Sequence, residues 1–224
     1  MRGSSQLVLN FHGLGTPMRP LDDGEDEYWL TADQFEAILD AVVARGGTDV
    51  KITFDDGNQS DADIALPALA RRKLRASFFP LAGRMGTPGS LDESAIRMLV
   101  DAGMEIGTHG MNHRAWRRLD DAASEEEIVA ARRVLEDAAG RKIGAAACPF
   151  GVYDRRSLQS LKRAGYRAVF TSDGGRANPG SWLQGRNTIT RSQPPGHVTA
   201  LLEREPSVKE TATRSMKSLV KRWR

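Results

Sequence analysis

Short apolar, β-branched runs alternate with longer segments of 3.6-residue period about six times along this chain, and that alternation restricts the fold more than any other feature. Strands are predicted at Gln6 to Phe11, Val50 to Phe54, Ala76 to Leu81, Met104 to Thr108, Gly144 to Pro149 and Ala168 to Thr171, with a weaker one near Asn187 to Thr190. Between them, Thr31-Ala32-Asp33-Gln34 and Ser124-Glu125-Glu126-Glu127 fit capping boxes, and Ser60 and Asp92 suit N-caps. Gly46, Gly103, Gly140 and Gly165 stand where helices end. Repeated strand-helix order implies an α/β fold of parallel strands joined right-handedly, as a barrel or an open doubly wound sheet.

At 224 residues one domain can bury a sufficient core without disulfides, and the single cysteine, Cys148, excludes an intrachain disulfide framework. Any metal must then bind through histidine and carboxylate. No run reaches the roughly 20 apolar residues of a membrane span, and Met1-Arg2-Gly3-Ser4 leads into strand-like sequence without a signal-peptide core. The expectation is a cytoplasmic protein. Formal charge is +3, but without the last twenty residues the balance is 26 basic to 27 acidic. A body with no basic field does not suit nucleic acid. Residues 1–204 are therefore expected to form the barrel domain and 205–224 a basic tail. In the tail, Met216, Leu219, Val220 and Trp223 follow helical spacing, so it is expected to dock on the body or to lie on an anionic membrane at the inner face.

Polar residues concentrate where predicted strands end, the rim that builds active sites in parallel barrels. His12 follows the first strand, Asp55 and Asp56 end the second, His109 and His113 follow the fourth, and Pro149-Phe150-Gly151 and Asp173 follow the fifth and sixth. Adjacent strand residues point to opposite faces, so one of Asp55 and Asp56 would face the barrel interior. If the strand ends at Phe54, they splay at the mouth, one free to bind a metal and the other to act as a base; a loop in which either caps the next helix is the plainer reading. His109 and His113, at i and i+4, would share a face of a helical turn. Gly110 stands where zinc peptidases carry glutamate, so a base must come from elsewhere. With the Asp pair, the histidines suggest a His-His-Asp centre that keeps an open coordination position.

Thr53-Phe54-Asp55-Asp56-Gly57, Thr108-His109-Gly110-Met111-Asn112-His113 and Cys148-Pro149-Phe150-Gly151 together resemble the three leading motifs of the polysaccharide deacetylases, the NodB-homology group of carbohydrate esterases. The resemblance runs from about His12 to Arg191 and implies a distorted, incomplete parallel (β/α) barrel. It implies that Asp56, His109 and His113 hold a divalent metal, zinc first and cobalt, nickel or manganese as alternatives, with Asp55 as general base. Pro149, Phe150 and Gly151 would line the substrate groove, and Trp182, on a rim loop with Tyr28 and Trp29, would stack on a sugar. The implied reaction removes an acetyl group, N-acetyl foremost, from a glycan or sugar conjugate; a non-sugar amidase and a silent carbohydrate-binding relative are the alternatives. Two motifs depart from the family. Ala147 occupies the position of an arginine that orients the base, so Arg155, Arg186 or Arg191 is expected to replace it. The late Leu-x-His motif is missing, which leaves His197 as the first candidate for the general acid and His12 as the second.

Overall fold

The computed structural model describes residues 5–194 and 196–204. The basic tail 205–224, with its expected docking or membrane role, lies outside the described residues.

Chain order begins with β1 (Gln6–Phe11), β2 (Gly13–Leu14), β3 (Trp29–Leu30), α1 (Ala32–Ala44), β4 (Val50–Asp56), α2 (Leu66–Arg71), β5 (Ala76–Pro80), α3 (Glu93–Asp101) and β6 (Glu105–Ile106). It continues with α4 (Asp121–Ser124), α5 (Ala131–Ala139), β7 (Ala145–Ala147), α6 (Arg155–Arg163), β8 (Ala168–Thr171), β9 (Arg176–Ala177), β10 (Leu183–Gly185), β11 (Asn187–Thr188) and α7 (His197–Glu203). The central ladder runs β11-β1-β4-β5-β6, and a second runs β10-β8-β7. Every pairing in both is parallel except that of β9 against the start of β1.

The two ladders meet at two places. On one side a single bridge joins Thr108 to Ala146. On the other, β10 pairs with β8 while β11 pairs with β1, so the run 183–188 changes partner at Arg186. The result is a distorted, incomplete barrel.

Strand alternation sorts the side chains into two layers. Leu7, Leu9 and Phe11 of β1 and Ile52 and Phe54 of β4 face outward and pack with Phe35, Leu39 and Val42 of α1 and with α2, α3, α5 and α7. Phe11, Phe54 and Phe78 stack across neighbouring strands at centroid separations of 5.4 and 4.8 Å. Val8, Phe79, Ala147 and Phe170 form a separate inner cluster. Asn10, Thr53 and Asp55 alternate with the outward residues of β1 and β4, and all three are buried.

Helix starts follow the sequence in part. Thr31 and Gln34 close a capping box, Asp92 accepts from the amide of Ala95, and Gly46, Gly103, Gly140 and Gly165 all take positive φ. Two expected caps are corrected. Ser124 lies inside a helix that Asp120 caps, and Ser60 accepts from the Leu14 amide across the rim. Both places carry π-helical turns, at Asp61–Ala65 running into α2 and at Glu125–Ala130 joining α4 to α5. No helix among the described residues is long and apolar enough to cross a membrane.

Asp61, in the first π turn, is 1% exposed, and neither carboxylate oxygen has a hydrogen-bond partner among the described residues. Burial, reinforced by Asp56 and Asp55, raises its pKa well above the carboxylate range. Such a group contributes stability that is fully present below its unfolded pKa of about 3.9 and is lost as pH rises through the folded pKa. Asp61→Asn removes that loss, so its stability relative to the parent chain should grow as pH rises above the unfolded carboxylate pKa of about 3.9. Denaturant unfolding at several pH values checks this, and a constant difference would contradict it.

Candidate metal centre and catalytic cleft

β4 continues through Asp56 rather than ending at Phe54, and the two carboxylates part by another route. Asp55 keeps strand geometry and points into the barrel interior. Asp56 takes φ 74°, a left-handed backbone that few residues other than glycine adopt, and turns toward the mouth. Gly57 follows at φ 73°, where a Cβ would strike Pro80 of the next strand.

A network fixes Asp55. Arg186 Nη1 donates to Oδ1 and Nη2 to Oδ2, each at 2.7 Å, and Asn10 Nδ2 donates to Oδ2 at 3.0 Å. Arg186 also donates to Asn10 Oδ1 at 2.7 Å, an acceptor it shares with the Thr53 hydroxyl. Arg186 is fully buried and Asp55 is 2% exposed. Burial opposes ionisation of Asp55, but the Arg186 guanidinium outweighs it and holds the carboxyl well below the usual range. Of the three arginines expected to replace the missing one, Arg186 makes this contact.

Asp56, His109 and His113 offer ligand atoms that all lie within 4.8 Å of one another. Asp56 Oδ1 is 3.7 Å from His109 Nε2 and 3.6 Å from His113 Nε2. That oxygen is buried without a hydrogen-bond partner among the described residues, as an atom reserved for a cation would be. His109 Nδ1 lies 2.9 Å from the Ala147 carbonyl oxygen, which can only accept, so the hydrogen sits on Nδ1 and the Nε2 lone pair faces Asp56. Burial lowers the His109 pKa to about 4, against the opposing pull of Asp55 and Asp56, which keeps the imidazole neutral and able to ligate. Two imidazoles and one carboxylate suit a divalent transition metal with an open position. The residues present fit the ion. The histidines converge from a loop and not from the expected helical turn, with His113 at φ 54°.

A cleft of about 610 Å³ opens over this centre, lined by His12, Tyr28, Asp55, Asp56, His109, His113, Phe150, Ser172, Thr188, Thr190 and the acidic loop Asp22 to Glu25. Phe150 is 64% exposed, at φ 57°, and its ring lies 4.3 Å from that of His113. His12 packs against Tyr28 at 4.9 Å. The acidic loop is tied down by Arg19 to Glu25 and by Arg84 to Asp22, the latter at 3.0 Å.

Other expected site residues lie elsewhere. His197 opens α7 and lines a different groove, with Gln34, Ile38 and Ala41 of α1, and is not among the residues that line the metal cleft. Trp182 packs in the cluster around Tyr166, where its Nε1 donates to the Tyr166 carbonyl and Lys162 covers its ring. Pro149 and Gly151 are buried, leaving Phe150 to face the cleft. Asn10 and Glu127 were not expected. An asparagine inside an otherwise apolar strand was the available signal for the first; the second is hidden in a run of three glutamates.

A model of the polysaccharide deacetylase family matches residues 43–169, more than half of the chain. Among curated relatives, the YxkH protein of Bacillus subtilis is 23% identical over 129 residues, 58% of this chain and 46% of that protein. A chitooligosaccharide deacetylase of Bradyrhizobium sp. is 30% identical over 141 residues, 62% of this chain and 61% of that protein. The chain thus spans about half to three-fifths of the length of these curated relatives. Among solved structures, the Streptococcus pyogenes deacetylase PplD in complex with acetate superposes with a TM-score of 0.78 at 19% identity, covering 90% of this chain and all of that one. At that identity the likeness speaks for the fold alone.

Removing one member of a buried ion pair costs about 3–5 kcal/mol, because the other charge is left without compensation. Arg186→Met should therefore destabilise the chain by about that amount, and adding Asp55→Asn should recover part of the loss. Unfolding of the two single variants and the double variant checks this; additive losses would contradict it.

Proposed function

The chain belongs to the polysaccharide deacetylase family, and from that premise we propose that it hydrolyses an N-linked acetyl group of a glycan or sugar conjugate with a divalent metal, zinc first, held by Asp56, His109 and His113. One observation carries the proposal: the three ligand atoms converge beside an aspartate that Arg186 holds ionised. A divalent ion there would supply Lewis acidity, making hydroxide available near neutral pH and polarising an acyl oxygen.

In this reading Asp55 takes a proton from the attacking water. Because Arg186 and Asn10 keep it ionised, the acceptor is present at every working pH, and its lowered pKa makes it a carrier of the proton rather than its final holder. The departing amine needs a donor, and His12 is the cleft imidazole that this reading does not assign to the metal. Its contact with Tyr28 restrains the ring. His197 loses the first place it held on sequence grounds, since it lines another groove. Phe150 and Tyr28 present aromatic surface to the cleft while Ser172, Thr188 and Thr190 present hydroxyls, a mixture suited to sugar faces and hydroxyl groups.

Acetate release from N-acetylated oligosaccharides, measured on chain stripped of metal and reloaded with zinc or cobalt, tests the proposal. Release restored by metal is expected; stoichiometric metal with no release would point to another amide substrate or a binding role. Losing a positioned general acid costs about 10²–10⁴-fold. His12→Gln should fall by about that factor, with metal binding intact, and His197→Gln should stay near the parent rate. The reverse order would return the acid role to His197.

A further inference from the structure

Glu127 is completely buried, yet it lies in a helix whose neighbours Glu125 and Glu126 face solvent. It sits in the π turn Glu125–Ala130, a rare helical form that concentrates at functional sites. Its carboxylate reaches the loop between the two histidine ligands. Oε2 accepts from the Met111 amide at 3.0 Å and from Trp116 Nε1 at 3.5 Å, and Oε1 accepts from the Asn112 amide at 3.0 Å. All three donors are neutral.

The same loop is held from its other side. The amides of Ala82 and Gly83, just past β5, donate to the carbonyls of Gly110 and Met111, each at 3.0 Å. Every backbone hydrogen bond in this set falls between His109 and His113. The loop needs such support, because His113 stands at φ 54°, a conformation that persists only where surrounding contacts over-determine it. Gly110, at φ 93°, has no room for a side chain, since a Cβ would collide with Glu127 Oε2.

Resting on the reading of Asp56, His109 and His113 as a metal centre, we infer that Glu127 is a positioning residue for that centre, setting the spacing of the two imidazoles by clamping the amides between them. It touches neither ion nor substrate.

Glu127→Gln keeps the volume but replaces one of the two accepting oxygens with an amide donor, which is turned toward a backbone N–H. Removing an outer-shell partner of this kind weakens metal binding by about 10- to 100-fold. The test is the zinc dissociation constant by competition with a chromophoric chelator, together with the visible spectrum of the cobalt-loaded chain. Weaker zinc binding by about that factor and an altered cobalt spectrum are expected for E127Q, with E127D between it and the parent. A merely structural role would lower the melting temperature and leave both metal readouts of the folded chain unchanged, which would overturn the inference. Should E127Q not fold, E127D decides: weaker binding than the parent supports the inference, and parent affinity overturns it. A parent chain that takes up no zinc would overturn it together with the metal reading. A chain that binds zinc but releases no acetate would sink the proposed reaction only, and E127Q would still decide the role of Glu127.

Discussion

The ion pair between Arg186 and Asp55 is the constraint around which the barrel and its cleft are arranged. An ionised carboxylate inside a barrel is expensive, and a guanidinium beside it returns the cost only when the geometry is good and the remaining hydrogen bonds are made. Here the pair is bidentate, Asn10 bonds to both partners and Thr53 to Asn10, while Arg186 Nε has no hydrogen-bond partner among the described residues. A buried pair of this kind is weak evidence for stability, since apolar residues of similar size often serve a core better. Its value lies in what it holds in place: an ionised aspartate facing the barrel interior beside the metal ligands, and the partner change at Arg186 by which one run of chain joins the two ladders.

From that anchor the division of labour between adjacent aspartates follows. Alternation along β4 sends Asp55 inward, where Arg186 waits, and the left-handed backbone of Asp56 releases the next carboxylate toward the histidines. His109 is aimed by the Ala147 carbonyl, at the very position where the family's usual arginine is missing. The guanidinium that holds Asp55 comes instead from Arg186, between β10 and β11, while Ala147 contributes its backbone carbonyl. His113 depends on a loop that has no regular structure of its own and is bonded on both sides.

Much of this was legible in the sequence, for local reasons. β1 and β8 begin and end where their apolar runs do, and the inward carboxylate of the Asp pair follows from a period of two. What was not legible depends on partners far along the chain. Arg186 meets Asp55 across 131 residues, and nothing local separates it from Arg155 or Arg191. Ser60 and Ser124 have good capping chemistry, but a cross-rim hydrogen bond claims the first and an earlier cap, Asp120, the second. Position along the chain put His197 ahead of His12 for the acid, yet His197 lines a groove with residues of α1 while His12 lines the metal cleft. Trp182 reads as a rim aromatic until its indole nitrogen is seen bonded to the Tyr166 carbonyl.

In the proposed reaction two neighbouring carboxylates, Asp55 and Asp56, have different tasks. Metal content and acetate release, measured side by side on Asp55→Asn and Asp56→Asn, test that directly. Asp55→Asn should keep stoichiometric metal and lose about 10²–10⁴-fold in turnover, as removal of a general base does; Asp56→Asn should lose the metal itself. If Asp55→Asn lost the metal, or Asp56→Asn kept it, the assignment of base and ligand made from this geometry would be wrong.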